Sequence, residues 1–265
     1  MTNPASGDAA SSRAARSGAR PVVLLHGWTM SGASFDRLIA RLGPDFACRA
    51  PDLPGHGAGR AQPATLDACA DLAAREIEAA GPGAILVGWS MGAAAAWRLL
   101  ERRGPGDLAG LVTIDMGPKL GPDWALGLRD QTPERLRRGL EEMRDDWPVA
   151  GRKVARVTFA GREGGPDMSP EEALRQVFSN DPRAILPYWE EMLAMDMRPL
   201  VPRISLPWLV AYGARSRLYA PETSEWLVET APDARPARFE ASGHAPHLEE
   251  PEAFVKAFRD FAASL

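Results

Sequence analysis

Residues 84–92 read A-I-L-V-G-W-S-M-G and run directly into A-A-A-A-W-R-L-L. A serine with glycines two positions away on either side, between a buried-strand pattern and a helix pattern, is the arrangement of a nucleophile elbow. The turn is tight enough to strain its serine, and Gly88 and Gly92 leave room for close backbone crossings. Ser90 would project at a helix N-terminus, whose dipole favours developing negative charge. It is the candidate nucleophile, set against the plainer reading of a structural turn.

A serine nucleophile needs a base, and the chain has four histidines, at 26, 56, 244 and 247. His56 lies in D-L-P-G-H-G (52–57), a Gly/Pro turn, and reads as structural. His244 and His247 lie in F-E-A-S-G-H-A-P-H-L-E-E-P (239–251), after the last strand pattern and before a C-terminal helix. A loop at the carboxyl end of a strand can carry an imidazole to the serine. His244, directly after Gly243, is the candidate base, and His247 reads as a helix-start or packing residue. An oxyanion hole needs two donors aimed at one point. The backbone N–H groups of Trp28, in L-L-H-G-W-T-M (24–30), and of Met91 are the candidates, with the His26 ring bracing the loop.

The elements that must position these groups alternate. Short apolar runs at 21–25, 84–88, 110–115 and 207–212, and a weaker one at 235–240, fit strands buried on both faces of a parallel sheet. Helical patterns at 66–80 and 91–103 lie between them, which argues for βαβ units and a doubly wound, mostly parallel α/β sheet. The rhythm breaks over 119–202, where four helices are expected (133–146, 148–160, 169–179, 185–195) and no buried strand. This stretch reads as a helical cap over the carboxyl ends of the strands, with 21–118 and 203–265 as the core.

Bulk properties narrow the classes. A formal net charge of −4 offers no basic surplus for nucleic acid. No run approaches the ~18 apolar residues of a membrane span. Cys48 and Cys69 cannot make a disulfide framework and read as reduced thiols of a cytoplasmic protein. Residues 1–20, rich in Ala, Ser, Gly and Arg, lack a secretory apolar region and read as a tail, with a transit-like segment as the alternative. No ligand cluster or phosphate-cradling glycine loop calls for a metal or organic cofactor.

Taken in order, L-L-H-G-W, D-L-P-G-H-G, G-W-S-M-G and S-G-H-A-P-H-L-E-E-P resemble the α/β-hydrolase superfamily from about residue 21 to the end. Details of G-W-S-M-G, H-G-W and H-A-P are similar to the pimeloyl-[acyl-carrier protein] methyl ester esterases. The resemblance implies the α/β-hydrolase fold, with the cap inserted after the strand the family counts as its sixth, and the Ser and His roles above. The serine at position 90 excludes relatives of this fold that use an aspartate nucleophile.

One departure matters. Where the superfamily carries its acid, in G-x-x-D-x-x-x-P, this chain reads G-A-R-S-R-L-Y-A-P (213–221), so Ser216 holds the acid's place. A serine cannot carry charge against an imidazolium. The expected replacement is Asp115, which ends the strand G-L-V-T-I-D one βα unit after Ser90, where some members place their acid. Glu222 and Asp196 are weaker candidates, and a degenerate triad is the remaining alternative.

The expected function is a carboxylesterase acting on small-molecule esters through an acyl-enzyme. Variants are a carrier-linked methyl esterase, a perhydrolase or acyltransferase, and a non-catalytic binder on a hydrolase scaffold. In the cap, Trp124, Trp147, Phe159, Phe178, Trp189, Met143, Met192 and Met195 divide between core and pocket. Arg135, Arg137, Arg138, Arg144, Arg152, Lys153 and Arg156 read as a solvated face, or as a docking surface for an acidic acyl-carrier protein.

Overall fold

Each apolar run becomes a strand whose alternate residues face opposite helix layers. The computed structural model describes residues 16–265. In chain order the elements are β1 (Arg20–Leu25), α1 (Asp36–Leu42), β2 (Phe46–Arg49), α2 (Leu66–Ala80), β3 (Ile85–Trp89) and α3 (Met91–Arg103). There follow β4 (Gly110–Ile114), α4 (Pro133–Asp145), α5 (Trp147–Val157), α6 (Pro170–Phe178) and α7 (Pro182–Ala194). The chain closes with β5 (Trp208–Gly213), α8 (Pro221–Thr230), β6 (Ala234–Phe239), α9 (Pro246–Glu249) and α10 (Pro251–Ala263).

The six strands form one sheet in the order β2-β1-β3-β4-β5-β6, with every pairing parallel. Parallel strands covered on both faces bury both sets of side chains. Val23, Leu25, Leu86 and Leu111 pack toward α2, α3 and α8. Val22, Leu24, Ile85 and Val87 pack toward α1 and α10, where Phe254, Phe258 and Phe261 fill the layer. This is the α/β-hydrolase fold expected from the sequence.

The helices on either side of the sheet begin and end on local signals. Thr65 caps α2 by accepting the Ala68 N–H at 3.1 Å, and Gly81 ends it at φ 94°. Ser169 and Glu172 form a reciprocal capping box at the start of α6. The four helices α4–α7 all lie between β4 and β5, and no strand interrupts them. The strand β2 was not expected. Its four residues, F-A-C-R, form a half-buried edge with no continuous apolar run.

Of the expected tail, residues 1–15 lie outside the described residues. Arg16 is tied down by an ion pair to Asp45 at 3.3 Å, and Arg20 opens β1. Among the described residues, no helix is long and apolar enough to cross a membrane.

Candidate active site

Ser90 is the single residue between the end of β3 and the start of α3. Its backbone is left-handed, at φ 53° and ψ −119°, a strained conformation for a residue with a Cβ. Its N–H donates to the Ile114 carbonyl at 2.9 Å, which fixes the elbow to the end of β4. The flanking glycines are required sterically. A Cβ on Gly92 would strike the Leu25 carbonyl oxygen, and one on Gly88 would strike the Ala93 backbone.

Asp115 follows β4 directly and also has a left-handed backbone, at φ 45°. Its N–H donates to the Ala211 carbonyl of β5 at 2.8 Å, so the Ser90 turn and Asp115 are anchored to successive strands. The His244 Nδ1–H donates to Asp115 Oδ2 at 2.7 Å. Ser216 Oγ donates to the same oxygen at 2.6 Å, and itself accepts the N–H groups of Leu218 and Tyr219, each at 3.3 Å. Asp115 is 2% exposed and His244 6%, so water screens this pair little.

The His244 carbonyl accepts the Trp89 indole N–H at 2.8 Å, tying the imidazole loop to the residue before Ser90. With Nδ1–H committed to the carboxylate, Nε2 is the nitrogen left to exchange a proton. The two weaker acid candidates are placed elsewhere. Asp196 pairs with Arg198 at 2.5 Å and Lys119 at 3.5 Å, and Glu222 sits in the first turn of α8.

The loop after β1 is braced by two buried neutral histidines. The Leu53 N–H donates to His26 Nε2 at 2.9 Å while Nδ1–H donates to the Gly27 carbonyl at 2.9 Å. Burial, with the neighbouring His56, lowers the His26 pKa to about 3. His56 Nε2 accepts the Thr29 N–H at 3.3 Å, and burial lowers its pKa as well. The loop is also pinned to the segment between β4 and β5, by Trp28 Nε1–H to the Ile185 carbonyl of α7 and by Asn180 Nδ2–H to the Thr29 carbonyl, at 2.9 and 2.8 Å. Among the described residues, the backbone N–H groups of Trp28 and Met91 have no hydrogen-bond partner.

Ser90, Trp28 and His244 line a cavity of about 710 Å³. Met116, Leu120 and Leu128 give it an apolar wall, and Met143, Trp189 and Met192 come to it from α4 and α7. The remaining expected cap residues are placed otherwise. Phe159 is 2% exposed in the core, Trp124 packs on Trp226, and Phe178 is 38% exposed. Arg129, Arg135, Arg138 and Arg217 stand on the cavity lining. Lys153, Glu141 and Glu142 share that lining; Lys153 pairs with Glu142 and Arg137 with Glu141, while Arg144 pairs with Glu190.

Two acidic residues escaped the sequence reading. Glu249 and Glu250 accept backbone N–H groups from the loop that carries His244, with Glu250 Oε2 also accepting the Ser242 hydroxyl at 2.6 Å. The two acids at the end of H-A-P-H-L-E-E-P were the signal available. His247 packs among Phe35, Trp89 and Phe254 with both ring nitrogens unpartnered, as a packing residue.

A parallel sheet with a strained serine between strand and helix, and a His–Asp pair at the same sheet edge, defines a class of enzymes. The chain belongs to the alpha/beta hydrolase family, whose profile matches residues 22–257. It is 32% identical over 246 residues to the pimeloyl-[acyl-carrier protein] methyl ester esterase of Chromobacterium violaceum, covering 90% of this chain and 92% of that one. It is 30% identical over 249 residues to the Vibrio vulnificus enzyme of the same name, covering 91% and 93%. The esterase EaEST from Exiguobacterium antarcticum superposes with a TM-score of 0.83 at 21% identity, over 93% of both chains.

Proposed function

We propose that this esterase of the alpha/beta hydrolase family cleaves carboxylic esters through an acyl-enzyme on Ser90. The observation that carries the reading is the 2.7 Å hydrogen bond from His244 Nδ1 to Asp115, beside a serine held at a left-handed strand–helix turn. In this mechanism His244 Nε2 takes the Ser90 Oγ proton as Oγ attacks the ester carbonyl carbon. The carbonyl π pair moves onto oxygen, and the N–H groups of Trp28 and Met91 receive that oxyanion. The positive imidazole is balanced by Asp115. Collapse breaks the bond to the alkoxy oxygen, which leaves as the alcohol with the proton from Nε2. Water, deprotonated by the same nitrogen, then attacks the acyl carbon, and collapse returns Ser90 and releases the acid.

The acyl part would occupy the apolar cavity, whose 710 Å³ lies in the range of sites that enclose a whole small molecule. Residues 119–202 would act as the cap that closes it. The narrower reading is a carrier-linked methyl esterase, like the relatives that carry that name. It is supported by identity near 30% over about nine-tenths of the chain and by the arginines on the cavity lining. An acidic carrier protein would dock on this basic rim, with its acyl chain threaded to Ser90.

The test is hydrolysis of p-nitrophenyl esters from acetyl to long acyl chains, alongside a dicarboxylate methyl ester linked to acyl-carrier protein, by wild type and Ser90→Ala. Turnover lost in Ser90→Ala supports the acyl-enzyme. A kcat/KM at least tenfold higher for the carrier-linked ester than for the free methyl ester supports the narrower reading. A wild type inert toward every ester leaves a binding role on this scaffold, and faster turnover with peroxide or an alcohol as acceptor identifies a perhydrolase or acyltransferase.

A further inference from the structure

Glu249 ends the short helix α9, five residues after His244 and outside the cavity lining. Its carboxylate receives three backbone N–H groups. Oε1 accepts those of Gly243 at 2.8 Å and Ala245 at 3.3 Å, the two residues that bracket His244. Oε2 accepts that of Ala160 at 2.7 Å, which follows α5 and belongs to the segment between β4 and β5. The same carboxylate therefore grips the imidazole loop with one oxygen and the cap segment with the other.

The packing around this grip leaves no slack. A Cβ on Gly243 would collide with the Ala160 nitrogen and the Phe159 carbonyl carbon, so cap and loop backbones touch directly there. The Ala160 carbonyl in turn accepts from Arg217 Nη2 at 2.8 Å, so both polar groups of this residue are taken up by the core. Burial pushes the Glu249 pKa up, and the three N–H groups offset part of that cost. The 3.3 Å bond from Ala245, the N-cap of α9, closes that helix's own turn, whereas the two shorter bonds, at 2.8 and 2.7 Å, reach beyond the helix to Gly243 and Ala160.

We propose that Glu249 is a positioning residue that locks the cap to the His244 loop, so that the imidazole reaches its working position only with the cap in place. The inference rests on the proposed role of His244. Displacement of a reacting group by about 1 Å costs about a hundredfold in rate, and the lock acts through His244 without touching substrate. Loosening it therefore lowers kcat and spares KM. An amide at this position retains one acceptor oxygen but turns N–H donors toward either the cap N–H or the loop N–H groups, which breaks one half of the grip.

The experiment compares wild type, Glu249→Gln and Ser90→Ala on a short p-nitrophenyl ester, with circular dichroism and thermal melting in parallel. Amide hydrogen exchange at Ala160, Gly243 and Ala245 is measured on wild type and Glu249→Gln. The expected result is a folded Glu249→Gln with kcat down 10- to 100-fold, KM within twofold, and the three amides losing protection together. A folded variant with unchanged kcat, or with a raised KM alone, overturns the proposal. Should Glu249→Gln not fold, the wild-type exchange decides: protection matched within about threefold at the three amides supports a common opening, and independent exchange at Ala160 refutes it. Full activity in Ser90→Ala would instead remove the catalytic reading itself, whatever Glu249 does.

Discussion

Replacing Asp115 by asparagine separates charge from geometry at this site, because a single oxygen serves two donors. Asp115 Oδ2 accepts both His244 Nδ1–H at 2.7 Å and Ser216 Oγ–H at 2.6 Å. Asparagine can keep both bonds if its oxygen takes that position. The reversed amide would aim its N–H groups at Ser216 Oγ, which already accepts from Leu218 and Tyr219 at 3.3 Å. Ser216 thus biases the amide toward the orientation that preserves the histidine tautomer, and only the charge is lost. At 2.7 Å and an effective dielectric constant of about 20, the attraction between imidazolium and carboxylate is about 6 kcal/mol. The neutral hydrogen bond that remains recovers about half of it. The other ~3 kcal/mol corresponds to a loss of about a hundredfold in kcat.

The double variant Asp115→Asn/Ser216→Ala removes the bias and lets the amide reverse, which pins the proton on Nε2. The expected loss then approaches the ~10⁴-fold known for a wrong tautomer in a serine protease. The assay is steady-state hydrolysis of a short p-nitrophenyl ester, with melting curves to confirm folding. Asp115→Asn within threefold of wild type would refute Asp115 as the acid. A double variant no slower than the single one would refute the part assigned to Ser216.

Two further outcomes follow from the same structure. Burial lowers the pKa of His26 and His247 to about 3, against 6.5 unfolded, so unfolding takes up protons as the pH falls below 6.5. Two such groups lower the unfolding free energy by about 2.7 kcal/mol per pH unit between pH 6.5 and 3. Urea melts at pH 7, 5.5 and 4.5 measure this slope; His247→Phe should reduce it by one proton, and an unchanged slope would contradict the assignment. At the cavity rim, Arg135→Glu/Arg138→Glu should raise KM for a carrier-linked ester at least tenfold at low salt while leaving a free ester within twofold. Equal effects on both esters, in paired kinetic runs, would count against carrier docking.

What the residues reveal depends on how locally each feature is encoded. β1, β3, β4 and β5 are buried on both faces and so read as unbroken apolar runs, within one residue of their observed starts. Helices α2 and α3 match their expected spans because Thr65 and Gly81 bound one, and Ser90 and Gly104 the other. β2 could not be read, since Phe46–Arg49 is a half-buried edge whose pairing with β1 comes from the sheet. Ser90 and Asp115 directly follow β3 and β4, whose apolar runs locate them, and His244 lies in the loop between β6 and α9, marked by the motif S-G-H-A-P. The roles of Ser216, Asn180 and Glu249 rest on contacts spanning 101, 151 and 89 positions, which no local pattern carries. Ser216 drew notice only as a missing acid; its bond to Asp115 required the fold.

The central claim is a covalent acyl-enzyme on Ser90, and trapping that species tests it most directly. The enzyme is mixed with p-nitrophenyl butyrate, quenched in acid within milliseconds, digested and weighed by mass spectrometry. The account predicts a butyryl mass increment on the peptide containing Ser90, absent in Ser90→Ala, with a burst of nitrophenol matching the enzyme concentration. Turnover with no acylated Ser90 peptide and no burst, or an increment that persists in Ser90→Ala, would contradict it.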